Sequence, residues 1–154
     1  IAAAFAAVAV ADKKDFPRDD AFHAGCAVTA TFAGAQCSDI YAAIDSEVRA
    51  WGSAETSPAQ GVYNLKEEVE NDYVWSTRLT KNGKYVDDQL FDLTQTDAGC
   101  EVTGRSRSQS MSYYDYSVNF CNLWNVYNGI GGFTYETKKC GYPAKDPEST
   151  CAVY

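Results

Sequence analysis

Between Trp51 and Gly61 the repeat of the apolar residues changes, and this change limits the fold more than any other feature of the chain. Upstream, Ile40, Ile44, Val48 and Trp51 form one stripe of a helix, while Asp45, Glu47 and Arg49 fall elsewhere on the wheel. Ser38 is the expected N-cap, and Asp39 suits the positive end of the helix dipole. Gly52 closes the helix, and the composition of 52–61 is that of a loop. Downstream the period becomes two. Four strands are expected over 62–70, 73–80, 85–94 and 100–109, with turns at Asn71-Asp72, Asn82-Gly83 and Asp97-Ala98-Gly99. Their inward set would be Tyr63, Leu65, Val69, Trp75, Leu79, Phe91, Leu93, Cys100 and Val102.

The remaining segments are less periodic. Residues 12–25 read as an extended lead-in, and no element is assigned to 26–36. Asp115 could cap a helix bearing Val118, Cys121, Leu123, Trp124 and Tyr127, and 133–138 reads as a short strand before a cysteine-stapled tail. The expected fold is α+β: one long helix across a four-stranded antiparallel meander, cystatin-like in outline, with an aromatic C-terminal segment. The domain would span 12–154. Residues 1–11 (IAAAFAAVAVA) read as the remnant of a targeting peptide or as an apolar arm, with small residues at Ala9 and Ala11 before Asp12.

Six cysteines, Cys26, Cys37, Cys100, Cys121, Cys140 and Cys151, occur without a CxxC, and His23 is the only histidine, so zinc-ligand spacing is absent. Three disulfides in an oxidising compartment are the economical reading: the extracellular space, an endomembrane lumen or a thylakoid lumen. The formal charge of −8 counts against binding to nucleic-acid phosphates.

Few residues point to catalysis. His23 has no nucleophile motif beside it. Adjacent carboxylates such as Glu67/Glu68 and Asp87/Asp88 would point to opposite faces of a strand, so a solvated acidic surface is favoured over a hydrolase pair. No catalytic residue, metal or cofactor is assigned. Arg105 and Arg107 would share one strand face, either to take an anion or acidic partner or to balance neighbouring carboxylates. Tyr113, Tyr114, Tyr116 and Trp124 belong to an aromatic cluster that would either close over the sheet as core or form a contact surface.

Over residues 26–151 the chain resembles small, secreted, cysteine-containing microalgal proteins without assigned activity. The resemblance rests on Gly61-Val62-Tyr63-Asn64-Leu65, on Gly83-Lys84-Tyr85-Val86-Asp87 with Phe91, and on Asn119-Phe120-Cys121-Asn122-Leu123-Trp124-Asn125-Val126-Tyr127. It implies export and a photosynthetic origin. In this family pattern cysteines often occupy the places of Gly104 and Asn128, which implies that Cys100 and Cys121 bond elsewhere or together. Cys100–Cys121 is the leading single pair expected. The leading function is a non-catalytic interaction protein with a protein partner, for instance an accessory subunit of a larger photosynthetic-membrane assembly. Membrane contact would come only through that assembly or the N-terminal arm. Alternatives are a carrier of a small apolar ligand, such as a lipid or pigment held near Trp75 and Phe91, and a carboxylate-based hydrolase.

Overall fold

The computed structural model describes residues 12–154; the targeting remnant or arm expected at 1–11 lies outside the described residues. The strands are β1 (Gly25–Ala33), β2 (Val62–Val69), β3 (Tyr73–Leu79), β4 (Val86–Thr96), β5 (Gly99–Ser108) and β6 (Thr134–Lys138). The helices are α1 (Cys37–Ala50), α2 (Val118–Ile130) and α3 (Pro147–Cys151). All strands join one antiparallel sheet in the order β2-β3-β4-β5-β1-β6. The expected single long helix on a four-stranded meander is therefore wrong. The meander β2–β5 is present, but β1 and β6 extend it to six strands, and three short helices replace the one.

Of the two extra strands, β6 falls within the short strand expected at 133–138, whereas β1 was hidden. In β1, Cys26, Val28, Ala30 and Phe32 face the core, but the alternate positions are Ala and Thr instead of charges, so the alternation is faint. Every residue of β6 is exposed, so no apolar face showed that this strand joins the sheet as its edge beside β1. The helix α2 is buried from Asn119 to Tyr127, which explains why apolar residues surround its wheel.

Both longer helices lie on one face of the sheet. Ile40, Ile44 and Val48 of α1 are buried there as the stripe requires, with Phe91, Val102, Phe120, Leu123 and Tyr127. Trp51 ends α1 and packs on Tyr63 at 5.2 Å between ring centroids. The N-cap is Gln36, not Ser38, and the Cys37 amide donates to Gln95 Oε1 at 2.6 Å.

Trp75 and Leu79 do not point inward. Val74, Ser76 and Arg78 take the helix face, and Trp75 packs on the opposite face with Tyr73, Leu90 and Phe16 from the lead-in. Three large residues in a row, Tyr73-Val74-Trp75, leave the strand's phase undetermined by pattern alone. Val69 is exposed because the register of β2 shifts between Leu65 and Glu67. The extra residue turns Glu68 toward α1, where it accepts from Tyr41 Oη at 2.9 Å and Arg49 Nη2 at 2.8 Å.

Three disulfides are present: Cys26–Cys140, Cys37–Cys100 and Cys121–Cys151. The expected Cys100–Cys121 bond does not form. Cys100 opens β5 beside the start of α1, whereas Cys121 looks from α2 toward α3. These bonds are consistent with an oxidising, exported compartment.

Candidate functional site

The helix face of the sheet is apolar over half its width and polar over the rest. Arg78, Asp87, Gln89, Ser76, Ser106 and Ser108 project from β3, β4 and β5 toward α2, and all are buried. Such groups are tolerated in a core only when hydrogen-bonded: Ser76 Oγ donates to Gln89 Oε1 at 2.9 Å, and α2 supplies partners for the others. Asn119 and Asn122 stand one turn apart on its inner face. Asn122 Oδ1 accepts from Arg78 Nη1 at 3.0 Å, and its Nδ2 donates to Asp87 Oδ2 at 2.8 Å and Ser106 Oγ at 3.0 Å. Asn119 Oδ1 accepts from Ser106 Oγ at 2.7 Å, and its Nδ2 donates to Ser108 Oγ at 3.2 Å and Asp115 Oδ2 at 2.8 Å. Asn125, a turn further on, donates to the Cys151 carbonyl and ties α3 to α2. The spacing of these three asparagines on a helix was the available signal for the network.

Asp87 was expected on a solvated surface; it is buried, and burial pushes its carboxyl up against the pull of Asn122, Ser108 and Arg78. Asp88, its neighbour, faces the other side of the sheet and accepts from Trp75 Nε1 at 2.8 Å. Arg78 lies over the Tyr63 ring, and its Nε has no hydrogen-bond partner among the described residues.

Above Arg78, Asp87 and Ser108 opens a cleft of 740 Å³. Its walls are the turn carrying Thr80, Lys81, Asn82 and Tyr85, the loop carrying Ser112, Tyr114, Asp115 and Tyr116, and the chain end at Val153 and Tyr154. The rim is built of tyrosines that hold one another. Tyr114 meets Tyr116 and Tyr142 edge-on at 4.3 and 4.5 Å, and Tyr116 stacks on Tyr154 at 6.1 Å. Tyr116 and Ser117 both adopt left-handed backbone, at φ of 54° and 70°. For a bulky residue this costs about 1 to 3 kcal/mol, and such strain concentrates at functional sites. Asp115 fixes the turn, accepting from the Ser117 amide at 3.2 Å and the Asn119 amide at 3.0 Å.

The sequence-derived contact residues part company. Tyr113, Tyr114 and Tyr116 are 65%, 54% and 57% exposed, whereas Trp124 is buried in the core. Arg105 and Arg107 share the outer sheet face and hold the lead-in: Arg105 donates to the Pro17 carbonyl at 3.2 Å and covers Phe16, and Arg107 bonds Asp20 at 2.6 Å. His23 Nδ1 lies 2.8 Å from Asp20 Oδ1, and these contacts hold the Asp20 carboxyl well below its usual range. Tyr85, Tyr142 and Tyr154 belong to the same surface and were missed because they are far from the aromatic cluster in sequence. Among the described residues no three His, Cys, Asp or Glu side chains group to hold a metal ion. Comparison with family models, with curated proteins and with solved structures returns no match to the chain.

Proposed function

We propose that the protein is a non-catalytic recognition protein of an exported or lumenal compartment, and that it engages its partner through the tyrosine-rimmed cleft. The carrying observation is the exposure of Tyr114 and Tyr116 at the cleft, above a base tied by the Cys121–Cys151 disulfide. The loop 109–117 is rich in Tyr and Ser, which combine large contact area at low entropic cost with adaptable hydrogen bonding. Catalysis by Asp87 is disfavoured, because its carboxylate is buried and committed to Asn122 and Ser108, and a general acid or base must reach its substrate. The carrier reading loses its proposed lining, since Trp75 and Phe91 lie on opposite faces of the sheet. An accessory subunit docked on a larger assembly remains within this proposal, with the tyrosines and not Trp124 as its anchors.

The test is retention of a partner from native extracts of the producing cells by the immobilised protein. Truncating Tyr114 or Tyr116 to Ala should weaken that binding by more than about 2 kcal/mol while leaving the fold intact. Equal retention by the variants would remove the cleft from the argument.

A further inference from the structure

The cleft differs from a plain apolar groove in what lies beneath the tyrosines. Its inner end carries Arg78 and Asp87, and its sides carry Lys81 and Asp115, so two cations face two anions. An anionic ligand attracted to Arg78 would meet Asp87, the next residue across the strands, and Asp115. The chain's charge of −8 opposes it further. A cation would meet Arg78 and Lys81. A neutral ligand meets neither penalty. Thr80, Asn82 and Ser112 add hydroxyl and amide groups that donate and accept. Arg78 is only 1% exposed and its Nε is turned to Gly61, so it sets the charge of the floor while the walls supply the groups open to a ligand.

The rim supplies the complementary half. Tyr85, Tyr114, Tyr116 and Tyr154 line the cleft with aromatic surface and phenolic hydroxyls, the last three partly packed on one another. A ligand matching both halves has a flat C–H surface ringed by hydroxyls. The volume of 740 Å³ falls within the range of about 300 to 1,000 Å³ of ordinary small-ligand clefts.

We propose that the cleft binds a neutral saccharide, its C–H faces packed on Tyr114, Tyr116 and Tyr85 and its hydroxyls bonded to the polar walls at Thr80, Asn82 and Ser112. This rests on the cleft being the recognition surface and names what that surface takes. A glycan borne by a larger partner and a free polysaccharide end present the same chemistry.

The experiment is calorimetric titration of the full chain with neutral hexasaccharides of β-1,4-glucan, β-1,3-glucan, mannan, xylan and galactan, beside sulfated and uronate-bearing counterparts. At least one neutral probe should bind, with affinity changed less than about twofold between roughly 50 and 500 mM salt, since no net charge is screened. Tyr116→Ala and, independently of the strained turn, Tyr85→Phe and Tyr114→Ala are compared. Each alanine variant should lose at least about tenfold in affinity, and Tyr85→Phe should retain most of it, because it keeps the ring. Binding of charged sugars alone, lost in high salt, would overturn the proposal in favour of an anion site. Failure of every saccharide to bind would also overturn it. Should tyrosine-dependent partner retention persist in that case, the recognition reading stands without the saccharide; if that retention is absent too, both fail.

Discussion

Arg78 and Asp87 stand opposite each other across β3 and β4, both closed to solvent, yet their side chains are linked through the amide of Asn122. Its oxygen accepts a hydrogen bond from the guanidinium and its nitrogen donates one to the carboxylate. Its backbone carbonyl accepts from Tyr63 Oη at 3.2 Å. One side chain of α2 thus compensates two ionisable groups that the sheet has removed from water.

Asn122→Leu should therefore destabilise the protein by more than a simple lost hydrogen bond. Removing the compensation for buried charges costs about 3 to 5 kcal/mol. Urea titration should give a midpoint well below that of Asn128→Leu, an exposed position on the same helix. Similar midpoints would mean that the pair is satisfied by other means.

Two glycines are fixed by close approach to this layer. A Cβ at Gly104 would lie 2.1 Å from Tyr127 Oη, whose proton is committed to the Val28 carbonyl at 3.0 Å. A Cβ at Gly61 would lie 2.1 Å from Arg78 Nε. Gly104→Ala and Gly61→Ala should each cost about 1 to 3 kcal/mol through forced displacement. Gly141→Ala, with open space around it, should be near neutral in the same thermal or urea measurement.

Glu47 gives a pH dependence with a definite sign. It is off the buried stripe of α1, but it is not the freely solvated residue its wheel position suggests. Its Oε2 is buried without a partner among the described residues, and burial pushes its pKa from 4.5 to about 7. The unfolded chain loses this proton near pH 4.5 while the folded chain keeps it, so Glu47's contribution to stability falls as pH rises from 4.5 to 7 and then levels off. Glu47→Gln should match wild type near pH 4 and exceed it at pH 8 by about 1 to 2 kcal/mol, allowing for solvent screening of a partly exposed group. A difference between the two proteins that does not vary with pH would show that Glu47 ionises freely in the fold.

Opening Cys121–Cys151 should disturb the tyrosine rim as well as stability. The bond pins α3, and Tyr154, which stacks on Tyr116, follows three residues after Cys151. Replacing both cysteines by serine should cost about 2 to 4 kcal/mol and weaken whatever the cleft binds. Replacing Cys37 and Cys100 should lower stability without a comparable effect on binding, since that bond closes the region where α1 begins.

The parts of this fold legible in the sequence are those with one wet and one dry face. The stripe Ile40, Ile44, Val48 gives α1, and alternation gives the meander β2–β5 within a few residues. Legibility failed where both faces are covered, as at Tyr73-Val74-Trp75; β6, exposed on both faces, was legible as a strand but not as an edge of the sheet. The candidate site failed to be read for a different reason. Arg78 and Asp87 carry charges that pattern reading assigns to solvent, and the approach of Asn122 from about forty residues away makes their burial tolerable. Of the site, Tyr113, Tyr114 and Tyr116 were named from local aromatic density alone. Tyr85, Tyr142 and Tyr154 join them only through tertiary structure.

The disulfide order has a consequence for how the protein meets proteases. The loop closed by Cys26–Cys140 overlaps the one closed by Cys121–Cys151, so every peptide bond between Cys26 and Cys151 lies inside at least one covalent ring. A single cut anywhere in that span opens the backbone and releases nothing. The nicked molecule keeps its mass apart from one added water, and it separates into fragments only when the sulfurs are reduced.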